Sequence, residues 1–198
     1  MVSVAFVNGK GGTGKTTLCM CVAMALSESG KKIAVADRDP QGTTIGWLRR
    51  IQSEDRGPWP YDANTECDIL LIDTPPRLNE PAVRDAILGA DKVIIVTTPS
   101  PVDLETTART ALDFVLPLRR DQHPEDPRVA LVFNQVQTGT LLSRSLAIQA
   151  GKVPGVRPMA AFVRRRQCYQ QASMQGWAGL NLRAQEELVM LIQEIFSF

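Results

Sequence analysis

The sequence predicts an α/β fold: a P-loop domain with a mostly parallel twisted sheet and helices on both faces. Three observations predict it. Short, almost continuously apolar runs alternate with segments of helical length, as when strands buried on both faces are joined by crossover helices. A glycine-rich phosphate-loop pattern stands between the first such run and the first helical segment. The 198 residues, 44% hydrophobic and 22% charged, suffice for a single core and match ordinary globular composition. One domain is therefore expected over residues 1–198.

In chain order, the first strand is expected at Val2–Val7 and the first helix at 16–29, stopped by Gly30, a residue suited to the position just past a helix end. Strands follow at 32–37, 68–73, Lys92–Thr97 and 129–134, with the runs Ile-Ala-Val-Ala, Ile-Leu-Leu-Ile and Val-Ile-Ile-Val inside the first three. A helix over 101–116 opens on Pro101, where proline's missing N–H costs nothing. Segments 53–66 and 123–127, with Gly57, Pro58, Pro60 and Pro124, read as loops. Over 182–198 the apolar positions Leu188, Leu191, Ile192 and Ile195 form a helical stripe expected to pack on the core.

No run reaches the roughly 18 apolar residues of a membrane span, and Met1 is followed by neither a basic stretch nor a cleavage site, so neither export nor spanning is expected. Cys19, Cys21, Cys67 and Cys168 lack C-x-x-C spacing, and His123 is the one histidine, which disfavours a structural zinc. Cys19 and Cys21 read as reduced core thiols, and His123 as a loop residue without a role. The net charge of +1 conceals an asymmetry: residues 127–185 contain no Asp or Glu and carry +8, leaving −7 for the rest. That polarity suggests a basic face for a polyanion, with scattered solvated arginines as the plainer reading.

Residues Gly9 to Thr16 satisfy G-x-x-x-x-G-K-[ST] in the strand–loop–helix context the motif needs. Glycines at Gly11, Gly12 and Gly14 let the backbone N–H groups around Thr13 wrap a phosphate, and the following helix adds its dipole. Lys15 supplies charge to the β- and γ-phosphates, the Thr16 hydroxyl is placed for Mg²⁺, and Thr17 faces the α-phosphate. Asp73, after four apolar strand residues, is the candidate second Mg²⁺ residue, acting through water; capping the next helix is its alternative. Thr74-Pro75-Pro76 then reads as a stiff loop sensing the γ-phosphate. Asp37 and Asp39 end the second strand, and either could orient an attacking water.

Residues 10–17, Asp37-Arg38-Asp39-Pro40-Gln41 and Ile72-Asp73-Thr74-Pro75-Pro76 together resemble the ParA/MinD family of deviant-Walker ATPases, most closely its small plasmid-partition members. The resemblance extends to residues 99–104 and to Arg164-Arg165-Arg166-Gln167-Cys168-Tyr169. It implies an ATP and Mg²⁺ cofactor set and a slow ATPase that forms a homodimer with ATP. Lys10 would be the signature lysine reaching the partner's phosphates, with raising the local potential of its own site as the alternative. Asp39 would serve hydrolysis, Asp37 would be the first acid of its motif, Asn134 would read adenine with Pro158 near the same pocket, and 99–104 would add contacts between dimers.

The function so implied is DNA partition: the dimer binds DNA without sequence preference, and a centromere-binding ParB-type or ribbon-helix-helix adaptor resets it. A cytoplasmic, nucleoid-associated protein is expected. Its alternative is a related ATPase positioning carboxysomes or chemoreceptor clusters. A MinD-like membrane switch is disfavoured by Glu186, Glu187 and Glu194 on the last helix, and a metabolic P-loop kinase would not need Lys10 in trans. Arg164, Arg165 and Arg166, read as helical, are the candidate DNA-phosphate contacts, with pairing to carboxylates as the alternative.

Overall fold

The computed structural model describes residues 1–51, 57–62 and 64–198; the part of the expected loop at 53–56 and 63 lies outside them. Among the described residues, seven strands run parallel in one sheet, ordered β3-β2-β4-β1-β5-β6-β7. They are β1 Val2–Val7, β2 Ile33–Asp37, β3 Trp59–Pro60, β4 Ile69–Asp73, β5 Lys92–Thr97, β6 Val129–Val136 and β7 Arg157–Arg164. Strand alternation divides the core. Val4, Phe6, Val35, Leu71 and Ile94 face the layer of α1 (Lys15–Glu28), α2 (Thr43–Ile51), α8 (Cys168–Gln175) and α9 (Leu182–Ser197). Ala5, Val7, Leu70, Ile72 and Ile95 face α3 (Pro81–Gly89), α4 (Pro101–Arg109) and α5 (Leu116–Gln122), and the short α6 (Leu141–Arg144) and α7 (Leu146–Ala150) lie between β6 and β7 in the chain. Cys19, Cys21 and Cys168 are buried free thiols, and burial pushes the first two up.

The topology sets the site. Crossovers up to β4 build the sheet on one side of β1 and later ones on the other, so the chain reverses beside β1, where open α/β sheets hold ligands at their carboxyl ends. In register, Asp37 lies beside Asp73 and Asp73 beside Phe6, which brings both acids to the edge where β1 enters the phosphate loop.

Three elements depart from the sequence pattern. The expected helix over 101–116 runs on to Gln122, with a π-helical turn at Thr110–Val115 between α4 and α5. Pro117 has no amide to offer residue 113, and the wider turn falls just before it. The short edge strand β3 lies inside an expected loop. The other edge strand, β7, is half exposed, so Arg157 and Pro158 interrupt its apolar run and the pattern is weak.

That edge is sealed by acids of α9. Glu194 accepts from the amides of Ala160 and Ala161, both at 2.8 Å, and Glu187 from the amide of Arg164 at 3.1 Å. Glu187 and Glu194 therefore turn onto β7 instead of forming a solvent-facing acidic stripe; of the three glutamates, Glu186 is the exposed one. Helix α9 thus presents no acidic stripe that would hold it off a membrane surface, and no helix among the described residues is long and apolar enough to cross a membrane.

Candidate nucleotide site

The loop after β1 is anchored from beneath. Asn8, fully buried, donates to the Val96 carbonyl (2.8 Å) and Thr107 Oγ1 (2.9 Å) while its own oxygen accepts from the Lys10 amide (3.0 Å). The Gly9 amide donates to Thr110 Oγ1 in the π-helical turn at 3.2 Å. Gly12 and Gly14 take φ of +83° and +89°, in the left-handed region, and a Cβ on Gly14 would meet Asn134 Nδ2 at 2.2 Å. Asn134 Nδ2 donates to the Thr13 carbonyl (2.9 Å) and Gln135 Nε2 to the Gly12 carbonyl (2.8 Å), so the end of β6 holds the far side of the loop.

Lys15, 6% exposed, turns into the loop, where its Nζ donates to the Lys10 carbonyl at 3.2 Å. Burial lowers its pKa, against the opposing pull of Asp73 and Asp39. Lys10 turns the other way and pairs with Asp103 on α4, whose second oxygen accepts from Thr98 Oγ1 at 2.6 Å.

Asp73 is inaccessible to solvent, and its Oδ2 accepts from Thr16 Oγ1 and Thr44 Oγ1, each at 2.7 Å. Burial dominates its electrostatics: despite both hydroxyls, the carboxyl is pushed up to about 6. Its Oδ1 is buried with no hydrogen-bond partner among the described residues. An orphaned carboxylate oxygen beside the motif's threonine hydroxyl is a donor set that fits a hard divalent cation. Thr74, by contrast, is tied down, its hydroxyl donating to the Phe6 carbonyl at 2.7 Å.

The two acids after β2 divide their work. Asp37 is spent on the backbone, accepting from the amides of Asp39 (3.0 Å) and Ile45 (3.1 Å), and so fixes the turn into α2. Asp39, half-buried, has one oxygen on the Gln41 amide (3.0 Å) and lies near enough to Lys15 to raise its pKa.

A cavity opens beside the start of α1, lined by Gly14, Thr17 and Leu18, by Asn134 and Gln135, and by Val163 to Arg166 with Tyr169 and Gln170. Asn134 thus lines this cavity; Pro158 does not. It sits at the opening end of β7, across from Leu131, and borders a different cavity, because it is the closing end of that parallel strand that reaches the loop edge. The three arginines are corrected too: Arg164 closes β7, and Arg165 and Arg166 precede α8, so none is helical. Arg164 and Arg166 bond Glu187 at 2.6 and 2.5 Å, and Arg165 is exposed with no side-chain partner among the described residues.

Sequence reasoning missed Asn8, Thr44, Asp103, Gln135 and Glu187. Each acts from an element whose neighbour is set by sheet order, and no local spacing announces that.

The family description "CobQ/CobB/MinD/ParA nucleotide binding domain" matches residues 4–176. The chain is 27% identical to maintenance of carboxysome distribution protein A of Gloeobacter kilaueensis over 92% of its own length and 88% of that protein's. Against the protein of the same name from Halothiobacillus neapolitanus it is 26% identical, covering 98% and 95%. Its fold superposes on McdA of Cyanothece in complex with ATP with a TM-score of 0.73 at 16% identity, covering all of this chain and 97% of that one.

Proposed function

We propose, from the premise that this chain belongs to the CobQ/CobB/MinD/ParA nucleotide-binding family, that it is an ATP-driven positioning switch. Mg·ATP closes a homodimer that binds DNA without sequence preference; an adaptor carried by the cargo stimulates hydrolysis, and the ADP form lets go. Positioning of a protein-built cargo is favoured over DNA partition because relatives spanning nearly the whole chain are carboxysome distribution proteins. Partition would use the same cycle with a centromere-binding adaptor.

The observation that carries the switch is the outward-turned Lys10 beside the inward-turned Lys15. Lys15 neutralises the β- and γ-phosphates from within the loop. Lys10, held off its own site by Asp103, is free to serve a second copy once that pair opens. Thr16 and Asp73 would hold magnesium, which when bound neutralises charge on the terminal phosphates. Asp39 orients the water, and because the loop brings no arginine onto the phosphates the isolated protein turns over slowly.

Cosedimentation with random-sequence duplex DNA and with anionic vesicles, each with Mg·ATP and Mg·ADP, tests the switch. Retention on DNA with ATP alone is expected; equal retention with both nucleotides, or capture by vesicles, contradicts it. Deleting the gene should leave plasmid inheritance intact, and plasmid loss would favour partition.

A further inference from the structure

Glu187 sits on α9, outside every phosphate motif, yet it is the most heavily bonded carboxylate near the site. Its Oε1 accepts from Arg164 Nη1 (2.6 Å) and from Arg166 Nη2 (2.5 Å) and Nε (3.2 Å). Its Oε2 accepts from the Arg164 amide and the Tyr169 hydroxyl, both at 3.1 Å. Every donor belongs to the segment that walls the cavity beside Gly14 and Thr17.

Two adjacent guanidinium groups repel each other, and the loop between β7 and α8 has no other carboxylate bonded to them among the described residues. Without Glu187 the two arginines would separate into solvent and the wall would open. With it, both guanidinium groups are held on one carboxylate; Arg164 lies over the Phe162 ring at 5.1 Å, while Arg166 has no ring partner among the described residues and keeps its faces for stacking.

We propose that Glu187 is a positioning residue for nucleotide binding: from α9 it fixes Arg164, Arg166 and Tyr169 as the wall against which the nucleoside part of the nucleotide packs. This rests on the reading that the phosphate loop holds a nucleoside triphosphate. In that reading the phosphates sit on Lys15 and the loop amides, so Glu187 governs the nucleoside and not the triphosphate.

The experiment compares binding of a non-hydrolysable ATP analogue and of inorganic tripolyphosphate, both with Mg²⁺, to the full chain by calorimetry. Glu187→Ala should lose about 10- to 100-fold in affinity for the ATP analogue, the effect seen when a group that orients a metal ligand is removed, and under about threefold for tripolyphosphate. Glu187→Gln, which keeps an acceptor oxygen, should fall between. Arg166→Ala, which leaves the Arg164 pair in place, should show the same ligand selectivity and serves if Glu187→Ala does not fold. Equal loss for both ligands, or unchanged affinity for the analogue, overturns the proposal. A parent protein that binds neither ligand overturns the nucleotide reading beneath it.

Discussion

Lys10 and Lys15 share one loop and face opposite directions. Lys15 is buried, has a depressed pKa, and is surrounded by the acids of its own site, Asp73 and Asp39. Lys10 keeps 37% of its side chain exposed and is paired with Asp103 on the neighbouring helix. A buried, partly desolvated ammonium is prepared for an anion that enters the loop. Lys10 sits in an ion pair whose ammonium side is 37% exposed and whose carboxylate side is 12% exposed, and solvent at the ammonium keeps the pair near about 1 kcal/mol, the upper end for exposed pairs. Two identical side chains in one motif thus face opposite ways, one into its own loop and one onto the rim, where the proposed partner subunit would meet it.

The largest expected effect lies on the inner side. Lys15→Ala should weaken ATP binding by about 100-fold or more in calorimetry, since a hydrogen bond from a charged donor is worth about 1.5–3 kcal/mol and this lysine is placed to serve two phosphates. A variant that still binds ATP normally would erase the distinction between the lysines.

Next is the acid behind Lys15. Asp73 has an unfolded value near 3.8 and a folded value of about 6, so folding favours its protonated form. The associated stability is complete below pH 3.8 and is lost as pH rises through 6. The loss amounts to about 3 kcal/mol at about 1.36 kcal/mol per pH unit. Metal-free Asp73→Asn should therefore match the parent near pH 3.5 and be more stable than it at about pH 8, while losing magnesium dependence of nucleotide binding. Denaturant titrations at the two pH values check it; a parent that is the more stable at the higher pH would show the carboxylate already compensated.

On the outer side the effects are smaller. Asp103→Asn releases Lys10 and should lower the ATP concentration for half-dimerisation by at most about fivefold, the limit set by a pair worth about 1 kcal/mol. No change, or weaker dimerisation, would mean that Asp103 does not restrain the lysine. Smallest is Arg165→Ala. Arg165 is the arginine of its cluster that Glu187 leaves unpaired. If its guanidinium neutralises a DNA phosphate, the variant's slope of log K against log salt on duplex DNA should become shallower by roughly 0.9 for each protomer in contact, about 1.8 for the dimer. An unchanged slope would place the DNA surface elsewhere.

How much was legible follows the same division. The phosphate loop, Asp73 and the central strands are local patterns, a glycine spacing or an apolar run ending in a carboxylate, and the structure brings them to one edge as expected. The cavity beside Gly14 and Thr17 is built by tertiary pairing. Strand β7 is an edge strand with too few buried positions to read as one, so Arg164 to Arg166 read as helical; the place given to Pro158 near the pocket rests on the family resemblance and on no local pattern. Glu187 read as a solvated acid because nothing in α9 reveals that residues far upstream hold its partners. Spacing identifies what a single turn or strand contains; it does not identify which distant chain segment lies against it.

The most direct test of the account is the mass of the Lys10→Ala protein by light scattering with Mg·ATP, beside the parent with Mg·ATP and Mg·ADP. The parent should move from 21.7 kDa with ADP to twice that mass with ATP, while Lys10→Ala binds ATP and stays at the monomer mass. A Lys10→Ala protein that doubles its mass with ATP as the parent does would contradict the assignment of that lysine to the partner subunit.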